Sequence, residues 1–141
     1  MKIRLNKSRA QRILWLLEEL ELEYEVKTYK RGSDMLAPEE LKEIHPLGKS
    51  PMIGIQTPDM AEPKIIIESG NITEYLAEHF GKHLIPARYP QGKEGQLGAE
   101  TEAYMRYKTY VHYAEGSMMP PLIVFLITHS KDHVHTPLTS F

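Results

Sequence analysis

The stretch that most constrains this fold is an apolar run that passes directly into a helical pattern. Three consecutive isoleucines, at positions 65–67, predict a buried β-strand, because β-branched side chains pack well in sheets. Apolar residues then recur every three or four positions from Ile72 to Phe80, which indicates one face of a helix. Only residues 68–70 separate the two patterns. The sequence therefore predicts a strand that turns sharply into a helix.

The turn itself, Glu68-Ser69-Gly70, has the chemistry of a binding site. The first N–H groups of a helix have no intrahelical acceptor, and the positive end of the helix favours an anion. Ser69 can cap the helix or donate its hydroxyl, whereas Glu68 either faces water or pairs with a cation. The pair suits a zwitterion, with an ammonium at Glu68 and a carboxylate at Ser69. A capped helix with an exposed acid fits the same residues, and spacing alone leaves both interpretations open.

Length and composition exclude several classes of protein. The 141 residues suffice for one domain with a core, or for a small domain plus part of a second. The net charge of −2 gives no reason to expect a nucleic acid or an anionic membrane as partner, and the absence of cysteine excludes disulfides and thiolate sites. No apolar run approaches the length of a membrane span or resembles a signal peptide. We expect a soluble protein of the cytoplasm.

Hydrophobic periodicity predicts the element order β-α-β-α-β-β-α over residues 1–83. The predicted strands are 1–5, 22–29, 51–55 and 65–68, and the predicted helices are 9–21, 36–44 and 71–80. The first strand–helix–strand crossover implies a parallel pair, and the proline-containing turn at 56–63 implies that the last two strands are antiparallel. The fold class is therefore α/β.

A second, all-α region is predicted after a linker at 84–98, which holds two prolines and three glycines. Residues 99–141 begin with an aromatic helix that Pro120 and Pro121 are predicted to kink or restart. We expect this helical domain to be incomplete in the sequence, so that its apolar face is either covered by oligomerisation or belongs to a truncated product.

The polar tail from 128 to 141 contains a weak metal-ligand pattern. His129, His133 and His135 lie near Asp132, and an i, i+4 pair of histidines can bind a metal ion. The same residues fit a frayed polar tail. We expect no metal site.

Three segments are predicted to meet at one edge of the sheet. Ligands bind beyond the carboxyl ends of parallel strands, where residues 6–8 follow the first strand and the Glu68-Ser69 turn follows the fourth. Lys49 and Ser50 enter the third strand at Pro51. A cis peptide bond there would aim the backbone N–H and C=O of Ser50 at an extended ligand.

Four motifs carry a family resemblance. They are NKSRAQRILWLLEEL at 6–20, HPLGKSP at 45–51, ESGNI at 68–72 and VHYAEGSMMPP at 111–121. With these motifs the chain resembles a glutathione transferase over nearly its whole length, and the last motif is similar to the fungal and bacterial branch of serine-type enzymes. His45 stands where that family commonly has an asparagine. The resemblance implies a thioredoxin-like first domain, an all-helical second domain, a homodimer and glutathione as cosubstrate.

The resemblance also implies an activity and roles for particular residues. The glutathione thiolate would attack a small hydrophobic electrophile, as in detoxification, and the same site could reduce peroxides. Ser8 would donate its hydroxyl to the sulfur and stabilise the thiolate, although a plain helix cap is the alternative. Ser50, before the cis-proline Pro51, would pair with the cysteinyl backbone. Glu68 and Ser69 would hold the γ-glutamyl ammonium and carboxylate.

Less specific positions complete the predicted site. The resemblance places Lys49 near the glycyl carboxylate, and a solvated lysine fits equally. Tyr104, Tyr107 and His112 could line the electrophile pocket, although an aromatic stripe on a helix is typical of a core. A non-catalytic binding or assembly module and an inactive truncated product remain as alternatives to the enzyme.

Overall fold

The computed structural model describes residues 3–5, 8–33 and 36–130. The chain divides into two compact units, Met1–Ile85 and Pro86–Phe141. The first unit contains, in order, β1 (Ile3–Leu5), α1 (Ala10–Glu19), β2 (Lys27–Tyr29), α2 (Glu40–Ile44), β3 (Met52–Ile55), β4 (Lys64–Ile67), α3 (Ser69–Phe80) and a short 3₁₀ helix, Lys82–Leu84. This order confirms the predicted thioredoxin-like β-α-β-α-β-β-α domain.

The four strands form one mixed sheet in the order β2-β1-β3-β4. β1 runs parallel to β2, with Leu5 opposite Tyr29, as the crossover predicted. β3 runs antiparallel to both neighbours, with Met52 opposite Ile3 of β1 and Ile67 of β4. The predicted antiparallel return of β4 is therefore also confirmed.

Helices cover both faces of this sheet, which explains why its strands are apolar at consecutive positions. On one face α1 and α3 pack through Ile13, Leu17, Ile72 and Leu76 against alternate strand residues that include Ile66. On the other face Leu41 of α2 packs against Met52, with Ile65 and Ile67 beside it. Successive side chains of a strand point to opposite faces, so three isoleucines in a row serve two cores.

Two elements begin later in the structure than the sequence predicted. The predicted strand 22–29 is a strand only at Lys27–Tyr29, where Lys27 pairs in parallel with Ile3 of β1. The predicted helix 36–44 begins at Glu40, since the carbonyl of Pro38 accepts the N–H of Leu41 at 3.1 Å in a tight turn before the helix.

The second unit contains one long helical stretch with a wide turn inside it. It comprises α4 (Glu102–Tyr113), a π-helical turn (Ala114–Met118) and α5 (Met119–Ser130). Pro120 and Pro121 lack an N–H, and in an α-helix their rings would collide with carbonyls four residues back. The π turn moves the hydrogen bonds one residue further apart, so the helix continues past both prolines into α5 without a restart.

The loop before α4 is closed by polar contacts at its base. Thr101 donates its N–H to the carbonyl of Arg88 at 2.8 Å and its hydroxyl to the carbonyl of Ala87 at 2.6 Å. The Thr101 hydroxyl oxygen also caps α4 by accepting the N–H of Tyr104. The Glu100 carboxylate contacts the Arg88 guanidinium at 3.4 Å and accepts the Tyr89 hydroxyl at 3.2 Å. Residues 87–101 therefore form a closed loop of the Ω type, which overlaps most of the segment predicted as a linker at 84–98.

α5 leaves much of its apolar surface exposed. Its exposed large side chains are Leu122, Val124, Phe125, Leu126 and Ile127. The predicted metal pattern lies mostly outside the described residues, since these end at 130. Within them, the His129 ring stacks on Phe125 at 3.9 Å, and no group of three or more potential metal ligands occurs. None of the described helices is both long enough and apolar enough to cross a membrane.

A substitution of Ile72 tests the packing of α3 on the sheet. This residue is fully buried in the α1–α3 core, so Ile72→Ala should lower the free energy of unfolding by about 2–5 kcal/mol through lost burial and a residual cavity. Urea denaturation measures this change. Leu97→Ala, at a fully exposed side chain, is the matched control and should change stability by no more than about 0.5 kcal/mol. Equal effects of the two substitutions would contradict the described core.

Glu100 should make the closed loop sensitive to acid. A hydrogen bond from its own backbone N–H, followed by those from Arg88 and Tyr89, lowers the pKa of Glu100 from 4.5. The folded state therefore favours the ionised form. The resulting stabilisation is complete above about pH 4.5 and is lost as pH falls through the lowered folded pKa.

Urea midpoints between about pH 3 and pH 6 measure this dependence. Glu100→Gln should be less stable than the parent at neutral pH, and the difference should shrink as the pH falls. Glu62→Gln removes an exposed carboxylate elsewhere and should leave the pH profile unchanged. Parallel profiles for the parent and Glu100→Gln would rule out the contribution.

Candidate functional site

The three segments predicted to converge lie at one edge of the sheet. β3 begins at Met52, which is opposite Ile3 of β1, so Ser50 lies at the end of the sheet where Leu5 ends β1 and the chain continues to Ser8. Met52 is also opposite Ile67, the last residue of β4, so Ser69 follows β4 at the same end of the sheet. Ser50 is therefore flanked by the segment before α1 on one side and by the beginning of α3 on the other.

Ser8 lies just before α1 and takes part in two contacts. Its Oγ accepts the N–H of Ala10 at 3.2 Å, which is a capping interaction at the first turn. The same Oγ lies 3.4 Å from the Ser50 Oγ, a contact between residues 42 positions apart in the chain. A serine hydroxyl has one proton and two acceptor positions, so capping α1 uses an acceptor position of Ser8 rather than its proton. The helix-cap interpretation and the thiolate-donor interpretation of Ser8 therefore do not exclude each other.

The turn before β3 positions Ser50. Gly48 is buried with φ +55°, and a Cβ added to it would lie 2.7 Å from the Cγ of Lys42, so this position requires glycine. His45 accepts the Leu47 N–H at its Nδ1 at 3.3 Å, which is the turn contact an asparagine side chain would provide. The Ser50–Pro51 peptide bond is cis, as the resemblance implied.

Glu68 is the most unusual backbone position of this edge. Its φ of 68° and ψ of 124° fall in a region that L-residues rarely adopt, and its side chain is exposed. Such a conformation costs of the order of 1–3 kcal/mol and persists where the surrounding fold imposes it, typically at functional sites. Here β4 and α3 are both held by packing, and Glu68 absorbs the change of direction between them.

Ser69 is the first residue of α3, rather than the residue that caps it. Glu68 occupies the capping position, makes no side-chain capping bond, and supplies its carbonyl to the N–H of Ile72 at 2.9 Å. Ser69 is buried, and its N–H and those of the next two residues belong to the first turn, which has no intrahelical acceptors. With α1 beginning beside Ser8, two positive helix ends face this edge.

The residues predicted to line an electrophile pocket lie on α4 in the second unit. The Tyr104 and Tyr107 rings are 6.1 Å apart, and the Arg88 guanidinium lies 5.7 Å from the Tyr104 ring. Both tyrosines are half-buried. His112 is exposed and lies five residues, or about 140° around an ideal helix, from Tyr107. The structure brings the two tyrosines together and places His112 on another side of the helix.

Comparison with known proteins agrees with this geometry. The family model described as "Glutathione S-transferase, N-terminal domain" matches residues 4–78. The chain belongs to the glutathione S-transferase family. The matched segment contains Ser8, Ser50 and the Glu68-Ser69 turn, so the edge described above lies within the family's N-terminal domain.

Individual relatives extend the match to more of the chain. Glutathione S-transferase 1 of Saccharomyces cerevisiae is 39% identical over 130 residues, which cover 91% of this chain and 51% of that protein. Glutathione S-transferase 3 of Schizosaccharomyces pombe is 35% identical over 116 residues, which cover 82% of this chain and 41% of that protein. The chain thus spans about half the length of the curated relatives it matches.

A solved relative shows the same architecture. The crystal structure of a glutathione S-transferase from Actinobacillus pleuropneumoniae matches with a TM-score of 0.64 and 32% identity, over 91% of this chain and 53% of that one. The thioredoxin-like fold of the glutathione S-transferase family is therefore present in the first unit. Sequence reasoning did not predict the positive φ of Glu68. Glutamate seldom adopts such a φ, and the one signal near it is Gly70, two residues later.

The strain at Glu68 can be tested by stability alone. Glu68→Gly removes the Cβ that disfavours this conformation and should raise the free energy of unfolding by about 1 kcal/mol. Glu68→Gln keeps the Cβ and should leave stability within about 0.5 kcal/mol of the parent. Guanidinium chloride denaturation of the three proteins checks this. A glycine variant less stable than the glutamine variant would show that Glu68 is not strained.

Proposed function

We propose that this chain binds glutathione at the edge formed by Ser8, Ser50 and the Glu68-Ser69 turn and transfers its thiolate to small hydrophobic electrophiles. The single observation that carries the proposal is the 3.4 Å contact between the Ser8 and Ser50 hydroxyls, 42 residues apart, at the beginning of a helix. Membership of the glutathione S-transferase family makes glutathione the expected tripeptide.

The Glu68-Ser69 turn fits the charged end of glutathione. The γ-glutamyl group carries an ammonium and a carboxylate on one carbon. The exposed Glu68 carboxylate is suited to the ammonium, and the Ser69 hydroxyl with the first N–H groups of α3 is suited to the carboxylate. The cysteinyl backbone would then lie along Ser50, which precedes β3 at the end of the sheet where Ser69 follows β4. Lys49 is exposed next to Ser50 and would attract the glycyl carboxylate.

Ser8 would act on the sulfur. A hydroxyl proton donated to sulfur favours the thiolate over the thiol, and the positive end of α1 acts in the same direction. The thiolate electron pair then forms a carbon–sulfur bond. In a substitution the leaving group departs with its bonding electrons, and in an addition the adjacent carbon takes a proton from water. The Ser50 hydroxyl, by donating to the Ser8 Oγ, would orient the Ser8 proton towards the sulfur.

Several finer assignments belong to the same proposal. Tyr104, Tyr107 and His112 would line the electrophile pocket, with the tyrosine pair as its apolar wall. The active form would be a homodimer in the cytoplasm, of the serine-type branch, and the same thiolate could reduce peroxides. The second candidate is a glutathione-binding module without turnover. The capping bond from the Ala10 N–H to Ser8 favours it, because a serine that only caps a helix needs no substrate.

Ser8 discriminates between the two candidates. Ser8→Ala should lower the rate with a general chromogenic electrophile by about 100-fold, the cost typical of losing one donor to a developing anion. Retention on immobilised glutathione should change little. Ser8→Thr keeps a hydroxyl at the same place and should restore most of the rate. Turnover that is the same in Ser8→Ala and the parent would assign Ser8 to capping alone.

The charged end of glutathione is tested separately by binding. Glu68→Gln combined with Ser69→Ala should abolish retention on immobilised glutathione, because it removes the partner of the ammonium and a donor to the carboxylate. Glu62→Gln combined with Thr57→Ala makes equivalent changes in the turn between β3 and β4, and it should leave retention intact. Undiminished retention by the first double variant would contradict the zwitterion site.

A further inference from the structure

His45 joins α2 to the turn before β3 through three hydrogen bonds. Its backbone N–H donates to the carbonyl of Leu41 at 3.1 Å, where α2 ends. Its own carbonyl accepts the N–H of Gly48 at 2.8 Å, and its Nδ1 accepts the N–H of Leu47 at 3.3 Å. The turn at 45–48 is therefore closed by one backbone bond and one bond to the imidazole.

The bond to Nδ1 fixes where the His45 ring carries its proton. A backbone N–H can only donate, so Nδ1 must present its lone pair and the proton of the neutral ring must be on Nε2. An imidazolium carries a proton on both nitrogens and has no acceptor. A second proton on His45 therefore removes this bond and brings two N–H donors face to face.

The turn contributes to where Ser50 lies. Gly48, its last residue, is buried, and only the exposed Lys49 separates it from Ser50. On the other side of Ser50, β3 begins two residues later. Ser50 is thus held between the turn and β3, with its Oγ 3.4 Å from the Oγ of Ser8. Loosening the turn would let Ser50 move relative to Ser8.

The charged groups of the elements that pack around this turn have interactions of their own. On α2, the Lys42 ammonium lies 2.8 Å from a carboxylate oxygen of Glu39. Glu40 and Glu43 of the same helix interact electrostatically with Lys27 of β2. The residues of β3 and β4 that pack with α2 are apolar. The bond within the turn is therefore the contact that a change in the charge of the imidazole alters most directly.

We propose that His45 is a positioning residue: its neutral ring holds the 45–48 turn, and with it Ser50 and Lys49, in the geometry that binds glutathione. This inference rests on the proposed function, in which both residues contact the tripeptide. Histidine side chains in general take up their second proton at about pH 6.5. The contribution of the ring to glutathione affinity is therefore present at about pH 7.5 and is lost as the pH falls to about 5.5.

Two variants of nearly the same shape separate the bond from the ring. Asparagine places Oδ1 where histidine has Nδ1 and does not titrate, whereas leucine has no acceptor. His45→Leu should bind glutathione about 3- to 5-fold more weakly than His45→Asn at every pH, the factor of one neutral hydrogen bond. In isothermal titration calorimetry the parent should match His45→Asn at about pH 7.5 and His45→Leu at about pH 5.5. Comparing the three proteins at each pH cancels the titration of every other group.

The protein without glutathione gives a second measurement. The backbone amide signals of Leu47 and Ser50 should shift with a midpoint near about pH 6.5 in the parent and should not show this titration in His45→Asn. His83→Asn removes an exposed histidine of the 3₁₀ helix Lys82–Leu84 and should leave the titration of both amides unchanged.

Each measurement can overturn the inference. A parent whose affinity follows that of His45→Asn at every pH would do so, as would a leucine variant that binds as tightly as the asparagine variant. A Ser50 amide that titrates equally in the parent and in His45→Asn would show that the ring does not position this residue. If none of the proteins binds glutathione at any pH, the proposed function fails, and the Ser50 amide still decides whether His45 positions Ser50.

Discussion

The packing of β4 and α3 on the same sheet is the constraint on which the rest of the first unit depends. Ile66 and Ile72, at the two sides of the turn, are both buried in the α1–α3 core. The chain must therefore reverse direction between them within a few residues, and Glu68 takes a φ of 68° to do so. The strain at one residue is balanced by the burial of many apolar side chains on either side.

The polar edge follows from that packing. β4 ends at Ile67, opposite Met52 at the start of β3, so Ser69 and Ser50 lie at the same end of the sheet as Leu5, the last residue of β1. α1 and α3 both begin at this edge, so their positive ends lie at the same edge. The strand packing therefore brings two helix beginnings together before any particular ligand is considered. Ser8 and Glu68 add a hydroxyl proton and a carboxylate to it.

At the opposite end of the first unit, the position of β2 depends on its register with β1. The described ladder between β1 and β2 begins at the Ile3–Lys27 pair, and residues 22–26 precede it. The apolar side chains of Leu22 and Tyr24 pack on the α1–α3 core, which holds this segment against the sheet.

Sequence reasoning succeeded where a pattern had a single physical solution. Ile65–Ile67 indicated a strand covered on both faces, and the spacing of Ile72 and Leu76 indicated a helix packed on it. It failed where the outcome depended on a distant partner. The strand predicted at 22–29 has the right alternation, but where a strand begins depends on its register with a neighbour, and the described ladder with β1 begins at Lys27. The two prolines at 120–121 predicted a kink or a restart, and the π turn before them lets the helix continue without a restart.

The sequence by itself determined the order of strands and helices, the apolar faces and the residue types at the polar edge, because each of these follows from local periodicity and side-chain chemistry. Only the tertiary structure decided that the Ser8 and Ser50 hydroxyls lie 3.4 Å apart and that Glu68 takes a left-handed backbone. Both outcomes depend on strand register, which is fixed by contacts between residues far apart in the chain.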